Sequence, residues 1–215
     1  ILFCLYIYKL NMNNIKVFEN DLPDIDLSKE KTISLDCEAL GLVLGRDPLT
    51  LIQLGLESKK FFIIKLNRKN YEAPNLVKLF ENSKSEFIMH YARQDLLWLK
   101  YHLKVRPNNI FCTKIASKIA RTASSYHGYK DLVKEFCGKD ISKKEQQSDW
   151  GDPNLSEKQI KYAASDTEHL FEIRNKLIKM LEREKRINLF KKSMEVIPIL
   201  VDMEMAGYKL STFEH

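Results

Sequence analysis

The chain has 215 residues, 44% of them hydrophobic, which is enough for one sizeable core, and no apolar run reaches the roughly 18 residues that a membrane span needs. The formal charge of +6, from 35 basic against 29 acidic residues, suits a polyanionic partner without identifying one. Cys4, Cys37, Cys112 and Cys137 have neither zinc-ligand spacing nor a disulfide framework, so the expectation is a soluble, cytoplasmic protein with reduced thiols and no membrane partner.

Ile1 to Tyr8 is apolar, but no basic region precedes it and no small-residue cleavage site follows, so it reads poorly as a secretory signal. Met12 is a natural start. Residues 1–12 are therefore set apart as an extra N-terminal segment, with a short edge strand as the alternative. The main domain is expected over 13–185, and 186–215 as a C-terminal helix and tail packed on it or on a neighbouring subunit.

Ile15 to Phe18 reads as a first strand. In Thr32 to Glu38 the residues alternate, so Ile33, Leu35 and Cys37 leave one face while Ser34, Asp36 and Glu38 leave the other. Asp36 and Glu38 then stand on one side of a strand end, about 7 Å apart along the backbone. Such a pair repels itself, and a divalent cation relieves the repulsion. A solvated strand end is the bland alternative. Thr50–Leu56 and Lys60–Leu66 read as a hairpin around Glu57-Ser58-Lys59, giving three antiparallel strands.

Pro74 opens a helix to about Phe80, Glu86 to Met89 is a short strand, and Ala92 to Leu103 is a helix burying Leu96, Leu97, Leu99 and Leu103. Asp95 lies in that helix's first turn, where the dipole favours an acid in any case. Ile110 to Cys112 is a further strand, and Thr113 is expected to cap a helix through Arg121 that carries Lys114, Lys118 and Arg121 on one face. Tyr129 to Phe136 follows as a helix stopped by Gly138. Trp150, in an otherwise polar connection, is expected to plug into the core. Ser156 and Gln159 form a capping box for the next helix, on which Tyr162 and Asp166 project together four residues apart. A last helix runs from about Asn188 to Met205. The pattern is α/β, a mixed sheet flanked by helices.

Three stretches together resemble the DEDD superfamily of 3′-to-5′ exonucleases, which has a ribonuclease H-like fold: Leu35-Asp36-Cys37-Glu38-Ala39-Leu40-Gly41-Leu42, His90-Tyr91-Ala92-Arg93-Gln94-Asp95, and Tyr162 with Asp166. Tyrosine in the third motif resembles the ribonuclease D-like branch, as does Gln147-Ser148-Asp149-Trp150. The short length, with Thr113-Lys114-Ile115-Ala116-Ser117 and the Met203-to-His215 terminus, resembles the compact nano-RNase C group. Cys37 stands where threonine is frequent, and by alternation it is expected to face away from the acids.

What the resemblance implies is a two-metal phosphodiester hydrolase. Asp36, Glu38, Asp95 and Asp166 would hold two Mg²⁺ ions, with Mn²⁺ as substitute, and Tyr162 would orient the attacking water. Leu42 would wedge between bases, a plain core leucine being the alternative, and His90, Arg93, Lys114 and Gln147 are candidate substrate contacts. The implied substrate is short single-stranded RNA, including dinucleotides, cut from the 3′ end to nucleoside 5′-monophosphates, with DNA 3′ ends left open. A homo-oligomer, an octamer by resemblance, is also implied. The alternatives are ribonuclease D-like trimming of tRNA or other longer RNA, and a catalytically inactive nucleic-acid-binding protein.

Overall fold

The two faces of strand β2 (Thr32–Ala39) organise the molecule. In the computed structural model, which describes residues 12–213 apart from 28, 83, 142 and 143, β2 sits inside a six-stranded sheet. The other strands are β1 (Ile15–Glu19), β3 (Leu49–Leu56), β4 (Phe61–Lys65), β5 (Glu86–Met89) and β6 (Ile110–Cys112), in the order β1-β4-β3-β2-β5-β6. The expected antiparallel trio is β2, β3 and β4. β1 joins the far side of β4 in parallel, and β5 and β6 extend β2 in parallel on the other side. β3 is buried along its whole length, because helices cover both faces of the sheet there.

Alternation decides which residue goes where. Ile33, Leu35, Ile52, Leu54, Phe62 and Ile64 point into the larger core with α1 (Pro74–Asn82) and α2 (Ala92–Leu103). Leu51, Phe61 and Ile63 point the other way, against Ala163 and Ala164 of α5 (Glu157–Glu168) and against Trp150. The small alanines let α5 lie close to the strands. Trp150 is buried, as expected for a tryptophan in a polar stretch.

The remaining helices are α3 (Thr113–Ala120), the short α4 (Tyr129–Leu132) continued by a π-helical turn over Val133–Cys137, α6 (Leu170–Arg183) and α7 (Ile187–Met205). The predicted stop at Gly138 is seen, with φ +65°. Ser156 and Gln159 cap α5 reciprocally. Thr113 differs from its expected role: it is the first helical residue rather than the cap, and its hydroxyl donates to the Met89 carbonyl at 3.2 Å, tying α3 to the end of β5. Arg121 also leaves the expected basic face, because it folds back to pair with Glu135 and to donate to the Tyr126 carbonyl at 2.8 Å. Residues 1–11, and with them nearly all of the segment set apart above, lie outside the described residues, as do Glu214 and His215.

Candidate active site

β2, β5 and β6 are mutually parallel, so their C-terminal ends meet at one edge of the sheet. The acidic end of β2, His90 after β5 and Lys114 after β6 all arise there, in the crevice where open α/β sheets place their ligands. A cavity of about 960 Å³ opens at that edge, lined by residues that include Asp36, Glu38, Leu42, His90, Tyr91, Asp95, Lys114, Tyr129, Gln147, Trp150, Tyr162 and Asp166.

Carboxylate oxygens of Asp36, Glu38 and Asp166 lie within 4.8 Å of one another. Asp95 stands behind them, buried in the first turn of α2. Burial first, and then the neighbouring charges, push the acids up from the ordinary carboxylate range: Asp36 to about 7 through burial, Glu38 to about 10 through burial and then Asp36 and Asp166. Asp95 and Asp166 rise well above their usual value, again through burial and then Asp36. Oxygen-only donors crowded until they resist ionisation fit hard divalent cations of the magnesium type, which supply the missing positive charge.

A stability consequence follows. A carboxylate whose folded pKa is raised stabilises the fold fully below its unfolded pKa and loses that contribution as the pH climbs through the folded value. In EDTA the thermal midpoint is therefore expected to fall steadily as pH rises from the carboxylate range through about 7 and beyond, with Asp36 and then Glu38 deprotonating. Millimolar Mg²⁺ at pH 8 should restore several degrees. A flat melting profile, insensitive to Mg²⁺, would show that the acids carry no such strain.

Tyr162 is one helical turn from Asp166 and shares a hydrogen bond with it. Burial and then the charges of Asp166, Glu38 and Asp36 drive the phenol far above its usual pKa, so it stays protonated and donates. Its ring packs 5.9 Å from Trp150. Tyr129, which sequence reasoning did not single out, donates its hydroxyl to the Ser165 carbonyl at 2.8 Å and so fixes the backbone next to Asp166.

Cys37 faces away from Asp36 and Glu38, as alternation along β2 predicts, but not from Asp95. α2 packs on the face to which Cys37 points, so the Cys37 thiol and backbone N–H both hydrogen-bond the Asp95 carboxylate. Cys37 is thus part of the site's support.

The substrate candidates separate clearly. Leu42 is 79% exposed at the mouth of the cavity, which excludes the plain core leucine. Its loop is held rigid by Asp47, whose carboxylate accepts from Val43 N–H at 2.9 Å and from Arg46, and is held down to about 2 by Arg46 first. Gly41 is required there, since a Cβ would sit 2.1 Å from an Asp47 oxygen. His90 lines the wall, with its Nδ1 2.9 Å from the Thr113 hydroxyl. Lys114 also faces the cavity, its ammonium 4.1 Å from the centre of the Tyr91 ring. Gln147 is exposed at the rim.

Arg93 is the exception. It does not line the cavity, and it pairs instead with Glu204 of α7 and donates to the Tyr91 hydroxyl at 2.9 Å. Tyr91, a second residue not foreseen, is an exposed aromatic with φ +64° on the cavity wall, a backbone conformation uncommon for a large side chain.

Residues 25–182 match the family model of 3′-5′ exonucleases. Ribonuclease D of Gluconacetobacter diazotrophicus is 32% identical over 171 residues, 80% of this chain and 43% of that protein, so the chain spans less than half the length of this relative. NrnC of Brucella melitensis superposes with a TM-score of 0.90 at 34% identity, covering 94% of this chain and 99% of that one. Escherichia coli RNase D, at 22% identity and a TM-score of 0.70, shares the fold. The chain belongs to the 3′-5′ exonuclease family, in the group that holds ribonuclease D and NrnC.

Proposed function

We propose that the protein is a divalent-metal-dependent 3′-to-5′ exoribonuclease that degrades short RNA, dinucleotides included, to nucleoside 5′-monophosphates. The observation that carries this reading is the meeting of three carboxylates within 4.8 Å, with a protonated phenol alongside, on the floor of a cavity large enough for a dinucleotide. A retained fold without catalysis fits poorly with so costly an assembly of acids.

Asp36, Glu38 and Asp166, together with Asp95, would hold two Mg²⁺ ions; Mn²⁺ offers the same oxygen-ligand chemistry. Bound there, such a pair supplies an activated water, charge relief at the phosphate and stabilisation of the departing 3′ oxygen. Tyr162 donates to Asp166 and orients the attacking water, a positioning role that its high pKa enforces. Cys37 holds Asp95 in register.

The rim of the cavity favours a short substrate. Leu42 offers an apolar blade on a stiff loop, suited to parting the last two bases, and Lys114 on Tyr91 offers a cation to a neighbouring phosphate. Solved structures of Brucella melitensis NrnC with bound Mg²⁺ and bound to pGG, each about one third identical to this chain, support both the metal and the short substrate. Among the described residues no helix is long and apolar enough to cross a membrane. α7 carries Leu189, Val196 and Ile199 exposed, an apolar stripe suited to a second copy of the chain, in line with a homo-oligomer.

The test is chain-length dependence with 5′-labelled RNA in Mg²⁺. Faster cleavage of a dinucleotide than of a twenty-nucleotide RNA supports the reading; equal or faster trimming of the long RNA makes the protein a ribonuclease D-like processor. DNA of the same lengths, run in parallel, reads out sugar preference. Leu42→Ala should raise KM for the dinucleotide about tenfold and leave kcat within a fewfold, the effect of losing one buried apolar contact. An unchanged KM would remove Leu42 from the substrate site.

A further inference from the structure

Gln53 is out of character with its strand. It sits among Leu51, Ile52, Leu54 and Leu56 on the fully buried β3, is 1% exposed, and neither its Nε2 nor its Oε1 has a hydrogen-bond partner. The Ser34 hydroxyl, equally buried, is also without one. Orphaned buried polar groups are rare because each forfeits its hydration with nothing in return.

Their placement explains them. In the β2–β3 register Gln53 is directly opposite Asp36, and Ser34 is opposite Gly55. Residues opposite one another share a sheet face with Cβ atoms about 5 Å apart, so Gln53 stands beside the Asp36 carboxylate on the α5 side. A Cβ on Gly55 would meet the Ser34 hydroxyl at 2.4 Å and the Thr167 hydroxyl at 3.1 Å. The Ser34 and Thr167 hydroxyls thus converge over Gly55, two residues along the same face of β3 from Gln53, and Thr167 is already satisfied by the Ala164 carbonyl at 3.0 Å.

We propose that Gln53 is a positioning residue for Asp36: with a divalent cation bound, its amide N–H donates to the Asp36 carboxylate and its carbonyl accepts the Ser34 hydroxyl. Those bonds satisfy all three orphaned groups and fix which Asp36 oxygen turns toward the cavity. The inference rests on Asp36 being a metal ligand. It assigns Gln53 to the shell behind the ligands, whose loss typically lowers metal affinity 10- to 100-fold.

Gln53→Met keeps the length of the side chain and removes the amide. Isothermal titration with Mg²⁺, without RNA, should show a half-saturation at least tenfold higher than wild type. The melting temperature in EDTA should stay the same or rise by roughly 2–3 °C, because two unsatisfied groups are gone. At saturating Mg²⁺ kcat should return to within about threefold of wild type. Ser34→Ala should weaken Mg²⁺ binding in the same direction by a smaller factor. Mg²⁺ affinity of Gln53→Met within twofold of wild type overturns the proposal while leaving the metal site intact; a wild-type protein that binds no Mg²⁺ overturns both. Should Gln53→Met fail to fold, Gln53→Leu replaces it, and failure of both shows that the amide serves the fold alone and also overturns the proposal.

Discussion

Asp36→Asn is expected to remove hydrolysis by about a thousandfold or more while making the metal-free protein more stable above neutral pH. After burial, which is the largest cause for each, the Asp36 charge adds to the upward shifts of Glu38, Asp95, Asp166 and Tyr162. An amide at that position cannot supply the negative charge that divalent ions need, and losing a metal-held transition state forfeits several kcal/mol, each 1.36 kcal/mol being a factor of ten. The same substitution relieves the repulsion among the remaining acids, so melting in EDTA at pH 8 should move upward and its pH dependence should flatten. Loss of activity accompanied by a lower melting temperature at every pH would mean that the variant has only disturbed packing.

Tyr162→Phe should lower kcat about a hundredfold, within the range of a positioned proton-bearing group, with KM changed less than about twofold. The phenol is held between burial and three carboxylates and keeps its proton, so in the proposed function it donates to Asp166 and aims the water. The shape of the pH–rate profile should therefore survive in the variant, merely displaced downward. Disappearance of the limb on which rate rises with pH would identify Tyr162 as the proton acceptor, and an unchanged kcat would exclude it from the chemistry.

Much of this site was legible from local periodicity. Alternation in β2 gave the shared side of Asp36 and Glu38, and helical spacing gave the pairing of Tyr162 with Asp166. Reciprocal capping by Ser156 and Gln159 fixed where α5 begins, and hence the direction in which its acid points. What stayed hidden depends on contacts distant in sequence. Arg93 looks like a phosphate ligand beside Asp95 until α7 brings Glu204 against it. Cys37 faces away from its neighbours in the strand, yet α2 carries Asp95 to meet it. The parallel seat of β1 on β4 is a pairing no local pattern specifies. Gln53 did have a signal, a lone amide in an otherwise apolar strand, whose meaning required the register with Asp36.

If Asp36, Glu38, Asp95 and Asp166 gather around a pair of divalent ions, as proposed, crystals grown with Mn²⁺ reveal it through anomalous scattering. The expected map has two peaks about 4 Å apart, one among Asp36, Glu38 and Asp166 and one on the Asp95 side of Asp36. A map with no peak at these residues, in crystals where Mn²⁺ is present at millimolar concentration, would contradict it.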